Sequence, residues 1–185
     1  TVGAEGLAPG AETLLDGRVC DCCQTAVALA DAGPVVAYRN RTEDEVRDVY
    51  VMRRVDGAWT DGAPVHADGW EIGGCPVNGP AIAADGTAVT VAWFTAAGDV
   101  ARAKVAFSSD GGASFGPPAV IDDGNPAGRV DVVLLEDGAA LEQLDFEAAA
   151  EGLEGFDPQQ LKGIAAESAA ESLQDLADVL GEAEL

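Results

Sequence analysis

Four cysteines, Cys20, Cys22, Cys23 and Cys75, and three arginines in turn-rich stretches, Arg18, Arg39 and Arg129, are the residues of this 185-residue chain best suited to chemistry. An even number of cysteines fits an exported protein with disulfides better than a cytosolic one. The same C-x-C-C run with a remote fourth sulfur offers soft ligands for zinc or copper, with His66 nearby, although it is not a zinc-ribbon spacing. Free or redox-active thiols are the third option. A guanidinium matches a carboxylate with two parallel hydrogen bonds, so Arg18, Arg39 and Arg129 could grip a ligand, with Asp131 beside them. Salt bridges to Asp21, Asp44 and Asp131 are their plainer use. Trp70, in a Gly-rich loop, either stacks on a sugar ring or lids the cysteine loop. His66, the only histidine, reads as a surface residue at a strand end. Nucleophile elbows, phosphate loops and dinucleotide fingerprints are missing, and no cofactor is expected.

Ten basic against 33 acidic residues give a net charge of −23, which argues strongly against binding of nucleic acid or anionic membranes through a basic surface. The acidic excess reads as a solubility device, since no D-x-D-x-D-G calcium loop occurs. No apolar run is long enough to span a bilayer. The chain does not begin with Met or a signal-like stretch, which reads as a processed or trimmed chain.

The elements that must position these residues are short strands. Period-2 apolar runs bounded by Gly, Asp and Asn predict strands near 25–30, 34–39, 46–55 and 62–66, then near 81–84, 88–95, 101–108 and 119–122, and a further start at 130–135. The two sets repeat each other. Asp31-Ala32-Gly33 corresponds to Asp85-Gly86, Tyr38 to Trp93 or Phe94, and Asp56-Gly57-Ala58-Trp59 to Ser108-Ser109-Asp110-Gly111-Gly112-Ala113-Ser114-Phe115. Trp59 and Phe115 are 56 positions apart, and Asp85 and Asp137 are 52 apart. Four strands per repeat of this length is the arithmetic of a β-propeller. In the turn at 108–115, Asp110 and the serines can bond turn amides, the glycines accept positive φ, and Phe115 drops into the core.

That S-x-D-x-G-x-S-F turn resembles the Asp-box of sialidase-type propellers. With G-R-V-C-D-C-C-Q-T, G-C-P-V-N-G-P and G-R-V-D-V-x-L-L, residues 12–141 resemble the bacterial, exported sialidase-like (BNR-repeat) propellers. The resemblance implies a mainly β partial propeller of two four-stranded blades and the start of a third. In such propellers the Asp-box lies away from the active centre, and the loops holding Arg18 to Gln24, Arg39 to Thr42, Trp70 to Pro80 and Asn125 to Asp131 share the channel face. It implies two disulfides, with Cys75 bonded to Cys22 or Cys23 across neighbouring blades. Sialidases hold a carboxylate with three arginines and use a Tyr–Glu pair and an Asp. Here the Arg-Ile-Pro signature is absent and no Tyr–Glu pair can be assigned, Tyr38 and Tyr50 reading as strand residues. The expected function is therefore an exported module, secreted or periplasmic, that binds a glycan or protein through the arginine- and cysteine-bearing loops without catalysis. The alternative is an exo-sialidase-type hydrolase acting on acidic sugars. A complete six-bladed ring at about 40–50 residues per blade needs about twice this length, so homo-oligomerisation to complete a ring is also expected.

Residues 142–185 carry twelve acidic and one basic residue and no Trp, Tyr, Cys or Arg. A short helix is predicted from about Leu141 to Ala150. A longer one starts at Asp157-Pro158, carries Leu161, Ile164, Leu173, Leu176 and Leu180, and closes at Gly181. This acidic helical tail either covers an open edge of the β part, binds a partner, or has no evolved role.

Overall fold

A computed structural model of the chain describes Val2–Gly3, Gly6–Pro9 and residues 12–124, 126–134 and 140–142. The chain divides into two units, Thr1–Leu144 and Asp145–Leu185; the second, with the predicted Asp157 helix, lies outside the described residues, as does Asp137 of the repeat.

The described fold is mainly β and antiparallel. A small hairpin pairs β1 (Val2–Gly3) with β2 (Gly6–Pro9), a pairing with no alternation in the sequence to announce it. The first main sheet is a meander of β3 (Ala26–Ala30), β4 (Gly33–Arg39), β5 (Val49–Val55) and β6 (Ala58–Trp59), with β7 (Ala63–Pro64) also on β5. Its fourth strand is thus broken, where a single strand at 62–66 is predicted. At the break, the Arg53 amide donates to the Thr60 hydroxyl and the Thr60 amide to the Arg53 carbonyl. The second sheet repeats the meander with β8 (Ala81–Asp85), β9 (Ala88–Thr95), β10 (Arg102–Ser108) and β11 (Ala119–Val120). A third begins with β12 (Val132–Leu134) paired to β13 (Ala140–Glu142). The predicted helix from Leu141 is therefore corrected at its start, because Leu141 pairs with Val133 and strand pairing overrides a helix-favouring composition. The rest of that predicted helix lies outside the described residues.

The sheets pack in sequence order, with β3 beside β8 and β8 beside β12. Val35, Ala37, Val49 and Val51 of the first sheet meet Val89, Val91 and Trp93 of the second in one core. Ala81, Ala92 and Val105, on the other face of the second sheet, meet Val132 in another. The second sheet is therefore covered on both faces, which is why β9 is buried from Val89 to Thr95 instead of alternating. On the first sheet, Val27 and Leu29 of β3 are 65% and 75% exposed.

The turn between β10 and β11 has the hydrogen bonds that its residue types predict. Asp110 accepts from the Ser108 hydroxyl (2.7 Å), the Ser114 amide (2.9 Å) and the Ser114 hydroxyl (2.6 Å), and the Gly112 amide donates to Ser108 Oγ (2.9 Å). Bonds from Ser114, then Ser108, hold the Asp110 carboxyl far below the usual range. Gly112 has φ of 80° and lies against Val35 and Arg53 of the first sheet, while Phe115 packs on the core shared by the two sheets. Neighbouring hairpins also touch, the Asp31 amide donating to the Gly86 carbonyl at 2.9 Å.

The exposure of Val27 and Leu29 on β3 has a measurable consequence. Val91→Ala, between the two sheets, should lower stability by about 2–3 kcal/mol in urea denaturation. Leu29→Ser should change it by less than about 0.5 kcal/mol in a dilute monomer.

Candidate functional site

Loops from both sheets meet at one end of the strands. The cysteine run is stitched to the end of β4, since Val19 bridges Asn40 and the Cys20 amide donates to the Arg39 carbonyl at 2.9 Å. The loop between the sheets is held by Asp48, whose carboxylate accepts from the amides of Gly69 (2.9 Å) and Trp70 (3.0 Å). Further along it, Gly79 exchanges hydrogen bonds with the Gln24 side chain, and a Cβ there would lie 2.1 Å from the Gln24 carbonyl oxygen. Gly128 in turn lies against the Asn78 side chain. The Cys22–Cys75 disulfide closes the cluster, with Cα atoms 6.3 Å apart, within the span a disulfide bridges.

Arg39, predicted as a ligand-gripping residue, is 2% exposed and takes a different role. Its Nε donates to the Asn78 carbonyl (2.8 Å), Nη1 to that of Arg47 (2.5 Å) and Nη2 to that of Phe94 (2.7 Å). The guanidinium also stacks on Trp70, 4.9 Å from the ring centroid, and Trp70 meets Phe94 edge-on. Both side chains are buried, Arg39 among three backbone carbonyls and Trp70 against Arg39 and Phe94. Beside the Trp70 loop, an open depression of about 600 Å³ is lined by Glu71, Ile72, Ala96 and Asp99.

The arginines that do converge are Arg18, Arg41 and Arg47, around Glu45. Arg41 donates to both carboxylate oxygens, Arg47 Nη2 to Oε2 at 2.8 Å, and Arg18 lies 3.6 Å from Oε1. Hydrogen bonds from Arg41, then Arg47, hold the Glu45 carboxyl at about 2. Arg129 and Asp131 are exposed, and Asp131 accepts from the Val132 amide. The predicted trio of Arg18, Arg39 and Arg129 is thus split between an ion-pair cluster, a buried brace and the surface. Tyr38 is also buried. Its hydroxyl donates to Asp16 (2.8 Å), and burial, with that bond and the Asp16 charge, pushes it well above its usual range.

The sulfur chemistry is asymmetric. Cys20 and Cys23 are free thiols with Sγ atoms 2.9 Å apart, so the expected second disulfide is corrected to a dithiol. Cys22 Sγ lies 3.5 Å from Cys20 Sγ, and the sulfurs of Cys20, Cys22 and Cys23 lie within 4.8 Å of one another. Arg47 Nη1 contacts Cys20 Sγ at 3.3 Å, while its buried Nε has no partner among the described residues. Burial pushes the Cys20 thiol up, but hydrogen bonds from Cys23 and Arg47 outweigh it and leave Cys20 below its usual value. Burial, with the neighbouring Cys20, pushes Cys23 up to about 11. Cys20 is therefore the more acidic member of the pair. His66 stands apart from this cluster, its Nε2 3.7 Å from Asp68.

Arg41, Glu45, Arg47, Asp48 and Asp68 were not singled out by sequence. Arg41 and Glu45 at i and i+4 are a visible ion-pair spacing, but nothing local shows that Arg47 reaches Cys20 or that Asp68 accepts from Trp93 and Lys104. Compared with protein-family models, curated proteins and solved structures, the chain matches none.

Arg39→Lys should lower stability by about 3 kcal/mol or more, because an ammonium cannot reach three carbonyls in a fork, whereas Arg129→Ala should stay within about 0.5 kcal/mol in the same melts. Glu45 is held below its unfolded value of about 4.3, so its contribution is complete above that pH and disappears as pH falls towards about 2. The melting-temperature gap between wild type and Glu45→Gln should be open at pH 7 and close across that window.

Proposed function

We propose that this chain is an exported, sialidase-like propeller module that binds a glycan or a protein through the loop end described above, and that it does not hydrolyse glycosides. The observation that carries the non-catalytic reading is the state of Arg39 and Tyr38. An arginine fork and an activated tyrosine are what sialidase chemistry requires, and here both side chains are buried and bonded within the chain. The upward push on Tyr38 is the reverse of what a nucleophile needs.

The propeller reading is supported by equivalent meanders stacked in sequence order, first strand beside first strand, with the Asp110 turn in its expected place between third and fourth strands. Export is supported by the Cys22–Cys75 disulfide. No helix among the described residues is long and apolar enough to cross a membrane. The exposed Val27 and Leu29 lie where a further sheet would pack, which supports assembly of copies into a ring.

Of the residues expected to bind the ligand, Arg18, Arg129 and Asp131 are the exposed ones. Incubation with a fluorogenic sialoside should release no fluorophore, while a glycan array should retain the protein and the double variant Arg18→Ala/Arg129→Ala should lose at least about tenfold in affinity, the worth of one charge-assisted contact. Fluorophore release that disappears in Arg129→Ala would establish the hydrolase instead.

A further inference from the structure

Two features of the sulfur cluster are not used by the binding reading. A reduced pair, Cys20 and Cys23, lies beside an oxidised pair, Cys22 and Cys75, and the two pairs differ in access: Cys20 is 4% exposed, whereas Cys75 is at the surface. Cys20 Sγ lies 2.9 Å from Cys23 Sγ and 3.5 Å from Cys22 Sγ, so one sulfur adjoins both its dithiol partner and a disulfide sulfur. The positive charge that favours a thiolate at Cys20 is built in, since Arg47, with 7% of its side chain exposed, has Nη1 3.3 Å away.

We propose that these four cysteines form a thiol–disulfide exchange centre, in which the buried Cys20–Cys23 dithiol passes its two electrons to the Cys22–Cys75 disulfide and so presents a reduced thiol at the surface. In the first step the Cys20 thiolate attacks Cys22 Sγ. The Cys20–Cys22 bond forms, the Cys22–Cys75 bond breaks, and the electron pair leaves on Cys75 Sγ. The Cys23 proton then passes through solvent to Cys75. The Cys23 thiolate attacks Cys20 Sγ, forming Cys20–Cys23 and releasing Cys22 as the thiolate. One disulfide, one thiol and one thiolate are present before and after, so no external oxidant or reductant is consumed. The outward substrate class is a disulfide on another exported molecule, which Cys75 can attack and Cys22 can resolve.

A metal centre on the same sulfurs is the competing use. It is disfavoured by Arg47 against Cys20, because a buried guanidinium repels a divalent cation, and by Cys22 Sγ being already bonded to carbon and sulfur.

The test uses the intact chain carrying the Cys22–Cys75 disulfide and the free Cys20 and Cys23, without added reductant. The protein is held with iodoacetamide at pH 8, quenched in acid at intervals, and digested for peptide masses. Exchange predicts that the Cys75 peptide, initially disulfide-linked, is released as an alkylated species while an internal Cys20–Cys23 bond accumulates. Cys20→Ser should slow this release at least about tenfold, and Arg47→Met should slow it severalfold by removing the charge that favours the thiolate. Alkylation confined to Cys20 and Cys23 in the wild-type chain would overturn the proposal, as would stoichiometric zinc or copper bound by the purified protein. The wild-type measurement decides the question even if a variant fails to fold.

Discussion

The Arg39 guanidinium is the constraint on which the loop end depends. It donates to carbonyls of the β4–β5 connection, of the inter-sheet loop and of β9, and so holds three chain segments from two sheets at one point. A buried cation needs this kind of compensation, because leaving its donors unpaired away from water costs several kcal/mol. Trp70 over its face supplies the remaining shield. Once Arg39 is placed, the cysteine run has its position, since the Cys20 amide bonds the Arg39 carbonyl.

Around that point, the packing of sheets and the closure of loops reinforce each other. Apolar contact between the first two sheets brings their hairpins together, which sets Asp31 against Gly86 and the Asp110 turn against β4. At the opposite end of the strands, Gln24 with Gly79 and Cys22 with Cys75 join the loops of the same two sheets. Hydrophobic burial is non-directional and would tolerate sliding of one sheet on the next. The polar ties and the covalent bond at the ends fix the relative register.

The sulfur cluster follows from the same placement. A dithiol beside a disulfide, with a buried arginine on one sulfur, arises because the cysteine run turns over the end of β4, where Arg47 of the neighbouring connection is already directed inward. The Glu45 carboxylate balances the positive charge there by accepting from Arg41 and Arg47.

Much of the fold was legible in the residues themselves. Alternating apolar runs located β3, β4, β8, β9 and β10 to within a residue or two, and the spacing of Ser108, Asp110, Gly112 and Ser114 determined a self-bonded turn, because those contacts span at most four residues. The Cys22–Cys75 bond agrees with what the family resemblance implied, which had left Cys75 to pair with Cys22 or Cys23. What the sequence could not assign was the partner of each arginine. Arg39, Arg47 and Arg129 carry the same charge and sit near similar turns, yet the first is a buried brace, the second a thiol contact and the third an exposed side chain. The difference lies in which carbonyls and sulfurs the packed sheets bring within about 3 Å, the reach of a hydrogen bond, and only the tertiary structure decides that over separations as long as Arg39 to Phe94.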